Sequence, residues 1–266
     1  MDYLFNNWKE ICEKITQHTN KFLLCDYDGT LTPIAENPED AQLGNDTRKI
    51  LQELVKKRRL SVGFISGRSL TDVRAKIGID GALYAGNHGF EIEGPGIKFI
   101  YPLTDEITSL MRLMTLVLRK ALSNIKGVII EDKGMTLSIH YRMVDEEKLP
   151  QLHTTFENTV EIARKIGKVK TFHGKKVHEI RPAIAWDKGK AVDLIISKHL
   201  TSSRKDRILA IYLGDDLTDE DAFKAVNARG GISIFVGDNR VNSAANYYLN
   251  STSEVVTFLT ELNKIV

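Results

Sequence analysis

Residues 23–33 read LLCDYDGTLTP. The apolar run Phe22–Cys25 has the length of a short strand and stops at Asp26; a second carboxylate, Asp28, follows, and Gly29-Thr30 offer a turn. A strand with no polar alternation that ends in turn residues fits a sheet buried on both faces. Such sheets are parallel and carry their ligand-facing groups past the carboxyl ends of the strands.

The flanking sequence repeats this pattern. A helix is expected over Asp46–Arg59, with Ile50, Leu51, Leu54 and Val55 at helical spacing and Lys56-Lys57-Arg58-Arg59 closing its last turn, where cations favour the macrodipole. Strand Leu60–Ile65, helix Thr71–Ile77 and strand Ala82–Ala85 follow. After Gly94-Pro95-Gly96 and Tyr101-Pro102 the pattern changes to helix Asp105–Asn124, strands Gly127–Glu131 and Thr136–Tyr141, helix Asp145–Ile166, and strands Lys168–Phe172 and Lys176–Ile180. That order describes an α+β unit with an antiparallel sheet, closed by Arg181-Pro182. Alternation resumes with helix Lys188–Leu200, strand Ile208–Leu213, helix Asp219–Val226, strands Ile232–Val236 and Tyr247–Leu249, and helix Glu254–Ile265, for which Ser253 is the expected N-cap. The expected fold class is α/β: a doubly wound parallel-sheet core, residues 1–102 and 183–266, with an inserted α+β cap at residues 103–182. Met1–Asn20 reads as a helix plus a turn, so a stand-alone monomer is expected.

The chain has 266 residues, 42% apolar and 27% charged, enough to build a core without a structural metal. Lys and Arg number 37 against 35 Asp and Glu, for a net charge of +2, which points away from nucleic acid and acidic membranes. Cys12 and Cys25 make no disulfide framework, and Cys25 is expected as a buried thiol. No apolar stretch approaches membrane-spanning length and no signal peptide is evident, so a cytoplasmic protein is expected.

Three strand ends gather polar residues: Asp26 and Asp28 after the first, Ser66, Gly67 and Arg68 after the second, and Asp215 and Asp216 after Leu213. One such turn alone reads equally as an Asx-turn or cap; three in register read as a site. Carboxylates crowded at one edge repel unless a hard cation sits among them, and oxygen ligands suit Mg2+. Asp26 can then attack a phosphorus to give an aspartyl-phosphate, with Asp28 protonating the leaving alcohol and later deprotonating water. Amides of Gly29 and Thr30, and the Ser66 hydroxyl, can reach phosphate oxygens. Lys188, at a helix start, can counter the developing charge; its plainer reading is a surface lysine.

Together the segments DYDGTL, SGR, DKGKAV and GDDLTDE resemble the four ordered motifs of the haloacid-dehalogenase-like phosphatase superfamily, over Asp26 to Asp221. The resemblance implies a Rossmann-like core with Asp26 as nucleophile and Asp28 as general acid/base. It implies phosphoryl binding by Ser66 and Lys188, and Mg2+ held by Asp26, Asp28 through its carbonyl, Asp215 and Asp216, with Asp219 supporting. The insertion resembles the cap of the sugar-phosphatase branch. GNHGFEIE (Gly86–Glu93), IEDKGMTLSIHYR (Ile130–Arg142), VHEIRP (Val177–Pro182) and WDKGKAV resemble the trehalose-6-phosphate phosphatase family. That resemblance implies substrate contacts from Asn87, His88, Glu131, Lys133, Arg142 and Glu179, beside Gly29, Thr30, Gly67 and Arg68. On spacing alone, Glu131 and Lys133 fit a strand-edge salt bridge. His173 and His178 show no metal-like partners and read as surface or strand residues. Two linkers, Gly94–Leu103 and Arg181–Asp187, suit a hinge that would bring Glu131, Lys133 and Glu179 over Asp26, with Arg181 and Trp186 at the hinge or simply packed there.

The leading expectation is Mg2+-dependent hydrolysis of trehalose 6-phosphate, a small-molecule sugar phosphate. Alternatives are a sucrose-6-phosphate or glycosyl-phosphoglycerate phosphatase, a phosphotransferase, and a non-catalytic sugar-phosphate sensor. A trehalose-6-phosphate synthase is the one macromolecular partner that the resemblance brings into view.

Overall fold

The computed structural model describes residues 1–199, 208–238 and 242–266. They form two compact units, one of residues 1–100 and 186–266 and one of residues 101–185.

The first unit opens with β1 (Asp2–Tyr3), a short 3-10 turn, α1 (Trp8–Gln17), β2 (Asn20–Cys25), α2 (Asn45–Val55), β3 (Leu60–Ile65), α3 (Leu70–Ile77), β4 (Leu83–Gly86), β5 (Glu91–Gly94) and β6 (Ile97–Ile100). The second unit is α4 (Asp105–Ala121), β7 (Ile129–Asp132), β8 (Leu137–His140), α5 (Leu149–Lys165), β9 (Val169–Gly174) and β10 (Val177–Pro182). The first unit resumes with α6 (Lys188–His199), β11 (Ile208–Gly214), α7 (Glu220–Ala228), β12 (Ile232–Val236), β13 (Tyr247–Leu249) and α8 (Thr252–Ile265).

In the first unit nine strands run in the order β1-β13-β12-β11-β2-β3-β4-β5-β6, parallel from β1 to β4 and antiparallel through β5 and β6. Alternate residues of β2 serve opposite faces. Leu23 and Cys25 join Leu51, Leu54, Val73, Ile77, Phe258 and Leu262 of α2, α3 and α8. Phe22 and Leu24 join Ala191, Ile195, Phe223 and Val226 of α6 and α7. Helices on both faces explain why no polar alternation marks these strands. The strand order reverses at β2, with β3 and β4 laid down on one side of it and β11 and β12 on the other, so the crevice past its carboxyl end is the topological switch point.

The second unit carries a four-stranded antiparallel sheet, β7-β8-β10-β9, over its own core of Met111, Leu118, Ile139, Phe156, Val160 and Ile180.

Several expectations are corrected. The first long helix stops at Val55 rather than Arg59: Arg59 takes a positive φ of 70° and its carbonyl accepts from Lys21, the turn needed to lay β3 beside β2. The basic run therefore lies past that helix, and Lys57 Nζ instead donates to the carbonyls of Asn263 (2.8 Å) and Val266 (3.0 Å) at the end of α8. Met1–Asn20 contains an edge strand, because Asp2 and Tyr3 pair with Tyr247 and Tyr248. The stretch expected as the linker Gly94–Leu103 contains β6, paired with β5, and Arg181-Pro182 ends β10. Asp145–Ile166 is a 3-10 turn followed by α5, divided where Pro150 enters the first helical turn. The N-cap of α8 is Ser251, which accepts from the Glu254 amide, and Ser253 is already inside the helix. Leu200, the expected end of α6, lies outside the described residues.

His173 and His178 are strand residues as expected, on β9 and β10, and they share a cluster with His153. The buried His178 ring stacks on Phe156 at 4.4 Å, and its two nitrogens meet Nδ1 of His153 and Nδ1 of His173, each at 2.7 Å. Sequence spacing hides this trio because His153 comes from α5 and the other two from the β9–β10 hairpin.

Candidate active site

Asp26 stands one residue past β2, Ser66 one past β3, Asn87 one past β4 and Asp215 one past β11, so four neighbouring parallel strands deliver polar groups to one edge. The Asp26 amide donates to the Leu213 carbonyl (2.8 Å) and the Ser66 amide to the Ala85 carbonyl (2.9 Å), extending the sheet ladder one rung into the site. Gly29 has φ of 87°, and a Cβ there would overlap the Asp215 carboxylate. The glycine after Asp28 is what lets the acidic ends of β2 and β11 meet. Gly214 plays the same part for Asp219, whose carboxyl carbon a Cβ would strike.

Lys188, at the start of α6, is the buried hub. Its Nζ donates to Asp26 Oδ1 and Asp219 Oδ1, both at 2.7 Å. Burial works against its charge, but the Asp219 and Asp26 carboxylates outweigh that and push the ammonium above its usual range. Burial pushes the Asp26 carboxyl well up; Lys188 opposes the rise, and Asp219 and Asp215 add to it. Asp219 is also raised by burial, against the pull of Lys188. One lysine thus serves more negative charge than it can neutralise.

Asp26, Asp215 and Asp219 each present a carboxylate oxygen within 4.8 Å of the others, and all three are buried. Hard oxygen donors with a charge surplus fit a hard divalent cation. Asp219 already spends Oδ1 on Lys188 and Tyr212 (2.6 Å) and Oδ2 on the amides of Asp215 (3.0 Å) and Asp216 (3.2 Å), so it fits the frame of the site better than an open ligand. The Asp216 side chain falls outside this group. It is exposed, and its Oδ1 accepts from the Thr218 amide (2.7 Å) and hydroxyl (2.6 Å). Desolvation opposes its charge, but Lys188 and Thr218 outweigh it and hold the carboxyl below its usual range. Thr30 is fully buried, with a hydroxyl oxygen that makes no hydrogen bond among the described residues.

On the other side of β2, the Ser66 hydroxyl accepts from the Arg68 amide (3.1 Å). Asn87 and His88 adopt positive φ, 50° and 56°, so that their amides reach the carbonyls of Arg68 (2.7 Å) and Ser66 (2.9 Å). Gly67 lets the His88 ring lie against the loop, since a Cβ would sit 2.6 Å from its Cε1. Asn87 Nδ2 donates to Glu91 (2.7 Å). The Asp28 carboxylate receives Arg68 in a two-pronged pair, Nε to Oδ2 and Nη2 to Oδ1, both 2.7 Å.

Within the second unit, Glu131 and Glu179 both pair with Ser138, so the three side chains form one row on one face of the sheet. Glu131 meets His140 Nε2 (3.0 Å) and Lys133 Nζ (3.8 Å), while Glu179 receives Arg181 Nη2 (2.6 Å). Arg181 also lies over the Phe172 ring at 4.3 Å. Arg142 donates to the Lys175 carbonyl (2.8 Å) in an exposed turn. Spacing named neither Tyr212, which anchors Asp219 from inside an apolar strand, nor Arg181 as the partner of Glu179. Their only signal was a polar tip within a buried run.

The family model described as trehalose-phosphatase matches residues 24–253. The chain is 33% identical over 250 residues to "Trehalose-phosphate phosphatase B" of Arabidopsis thaliana, covering 90% of this chain and 65% of that protein. It is 33% identical over 254 residues to "Trehalose 6-phosphate phosphatase RA3" of Zea mays, covering 90% and 69%. It therefore spans about two thirds of the length of these relatives. The "Structure of C. albicans Trehalose-6-phosphate phosphatase C-terminal domain" superposes with a TM-score of 0.83 at 24% identity, over 98% of this chain and 97% of that one, and shares the fold. With a family match running from the strand before Asp26 into the last helix, the chain belongs to the trehalose-phosphatase family.

Proposed function

We propose that this chain hydrolyses trehalose 6-phosphate to trehalose and phosphate, with Mg2+, through an aspartyl-phosphate at Asp26. The observation that carries the reading is the buried Lys188 bridge between Asp26 and Asp219 beside Asp215, at the switch point of the sheet. Family membership supports the substrate.

Lys188 takes Asp26 Oδ1, leaving Oδ2 to attack the phosphorus. As that bond forms, the bond to the sugar oxygen breaks and Asp28 supplies the proton that oxygen needs. Asp28 then takes a proton from the water that attacks the phosphorus, and Asp26 is restored. Ser66 and Lys188 hold the transferred oxygens. Mg2+, held by Asp26, Asp215 and the residue-28 carbonyl, would offset charge on the phosphoryl oxygens and keep Asp26 a carboxylate. The sugar hydroxyls are assigned to Glu131, Lys133 and Glu179, which combine acceptors with a donor.

Phosphate release is to be measured from trehalose 6-phosphate, sucrose 6-phosphate and glucose 6-phosphate, with and without Mg2+. The expected result is Mg2+-dependent release from trehalose 6-phosphate above the other two, abolished in Asp26→Asn. Release from another ester instead would keep the Asp26 chemistry and remove the assignment of Glu131, Lys133 and Glu179. Tight binding of trehalose 6-phosphate without release would favour a sensor.

A further inference from the structure

We infer that Arg68 is a positioning residue for Asp28, holding its carboxylate where it exchanges a proton with the reacting oxygens, rather than a ligand of the phosphate. The inference rests on Asp28 being the general acid/base.

A guanidinium has five N–H donors, and four of those on Arg68 are placed. Nε and one Nη2 hydrogen go to the two oxygens of Asp28, the other Nη2 hydrogen to the Pro38 carbonyl (2.7 Å), and one on Nη1 to Asp72 Oδ2 (2.7 Å). A two-pronged grip on phosphate needs a free edge, and neither remaining edge offers two open donors. The arginine is itself immobilised. Its side chain is 8% exposed, it lies over the Tyr27 ring at 5.4 Å, and Ser69 caps α3 so that Asp72 falls in the first turn facing it. Asp28 is 37% exposed, so the fork grips it from the protein side and leaves its other side toward solvent. The fork uses one lone pair on each carboxylate oxygen, and a second on each stays open to the proton in transit. Asp72 shares the guanidinium charge, which keeps Arg68 from binding Asp28 as an isolated ion pair.

The step it serves is loss of the sugar. The P–O bond to Asp26 forms, the P–O bond to the sugar breaks, its electron pair stays on the sugar oxygen, and the Asp28 proton joins it. A thiolate leaving group has little need of that proton. Trehalose 6-phosphate is therefore compared with its bridging 6-S-phosphorothiolate, which keeps the sugar, by kcat/KM, which reports steps through leaving-group departure. Arg68→Gln is expected to lower kcat/KM for the oxygen ester by about 10- to 100-fold, a share of what general acid catalysis supplies, and to lower that for the sulfur ester far less. Inhibition by inorganic phosphate should keep its strength, and the Arg68→Gln/Asp28→Asn double variant should be no worse than Asp28→Asn. Should Arg68→Gln fail to fold, Arg68→Lys and Asp72→Asn are read by the same oxygen-to-sulfur ratio. Equal losses on both esters, weaker phosphate inhibition or additive effects would overturn the inference. If Asp28→Asn itself fails to separate the two esters, the general-acid reading falls. If Asp28→Asn separates them and the Arg68 variants do not, only the role of Arg68 falls.

Discussion

Gly29 shows how much of the acidic edge of the sheet depends on one missing methyl group. Its φ of 87° and the Asp215 carboxylate in the space a Cβ would occupy impose two separate penalties on any replacement. Gly29→Ala is expected to retain the fold, with stability lowered by about 1–2 kcal/mol, while phosphate release drops well beyond what that loss explains because Asp215 is displaced. Thermal unfolding and turnover measured on the same preparation separate the two effects. That polar residues follow these strands at one edge was legible from sequence, because DYDGT, SGR and GDD are short runs that directly succeed apolar ones. Partners brought in from elsewhere were not. Tyr212 reaches Asp219 from within an apolar strand, and Arg68 divides itself between Asp28 and Asp72, forty and four residues away. Nothing in a linear pattern says which acidic residue a buried arginine will choose.

At the scale of elements, helix ends decide more than helix interiors. Ser251 accepts from the Glu254 amide and caps α8, which packs Val255, Phe258, Leu259 and Leu262 into the sheet. Ser251→Ala is expected to cost about 1 kcal/mol, lowering the melting temperature by roughly 2–4 °C. Ser253→Ala, one position into the helix, should cost less; a larger effect at Ser253 would show the cap misplaced. Both serines satisfy the sequence rule, and backbone geometry alone separates them. The parallel strands were readable as bare apolar runs, since both their faces are covered. The short strands β1, β5 and β6 were not, because two to four residues of mixed polarity look like loop until a neighbour pairs with them. The end of α2 was misjudged for a related reason, since the turn at Arg59 is dictated by where β3 must lie.

At the scale of the whole molecule, two units with separate cores need not respond alike to acid. His178 lies in the second unit, faced by His153 of α5, His173 of β9 and Tyr141 beyond β8, and burial, with repulsion from the two histidines, lowers its pKa from 6.5 to about 4. A group whose folded pKa is depressed contributes stability above its unfolded value and loses it as pH falls toward the folded one. Between pH 6.5 and 4, therefore, the second unit should lose up to about 3 kcal/mol, at 1.36 kcal/mol per pKa unit. Calorimetry across that range should show its transition moving down faster than that of the first unit, with a shallower slope in His178→Leu; parallel movement of both transitions would exclude this origin.

The wide sheet has a further consequence at its margins. A row of unsatisfied amides and carbonyls on an outermost strand is a template on which a foreign strand can dock and a fibril can start. Here one margin is β1, only two residues long, and the other is β6, four residues carrying Lys98 at its centre. Neither is long enough to recruit a neighbour rung by rung, so the margins of the nine-stranded sheet are poor templates for stacking edge to edge.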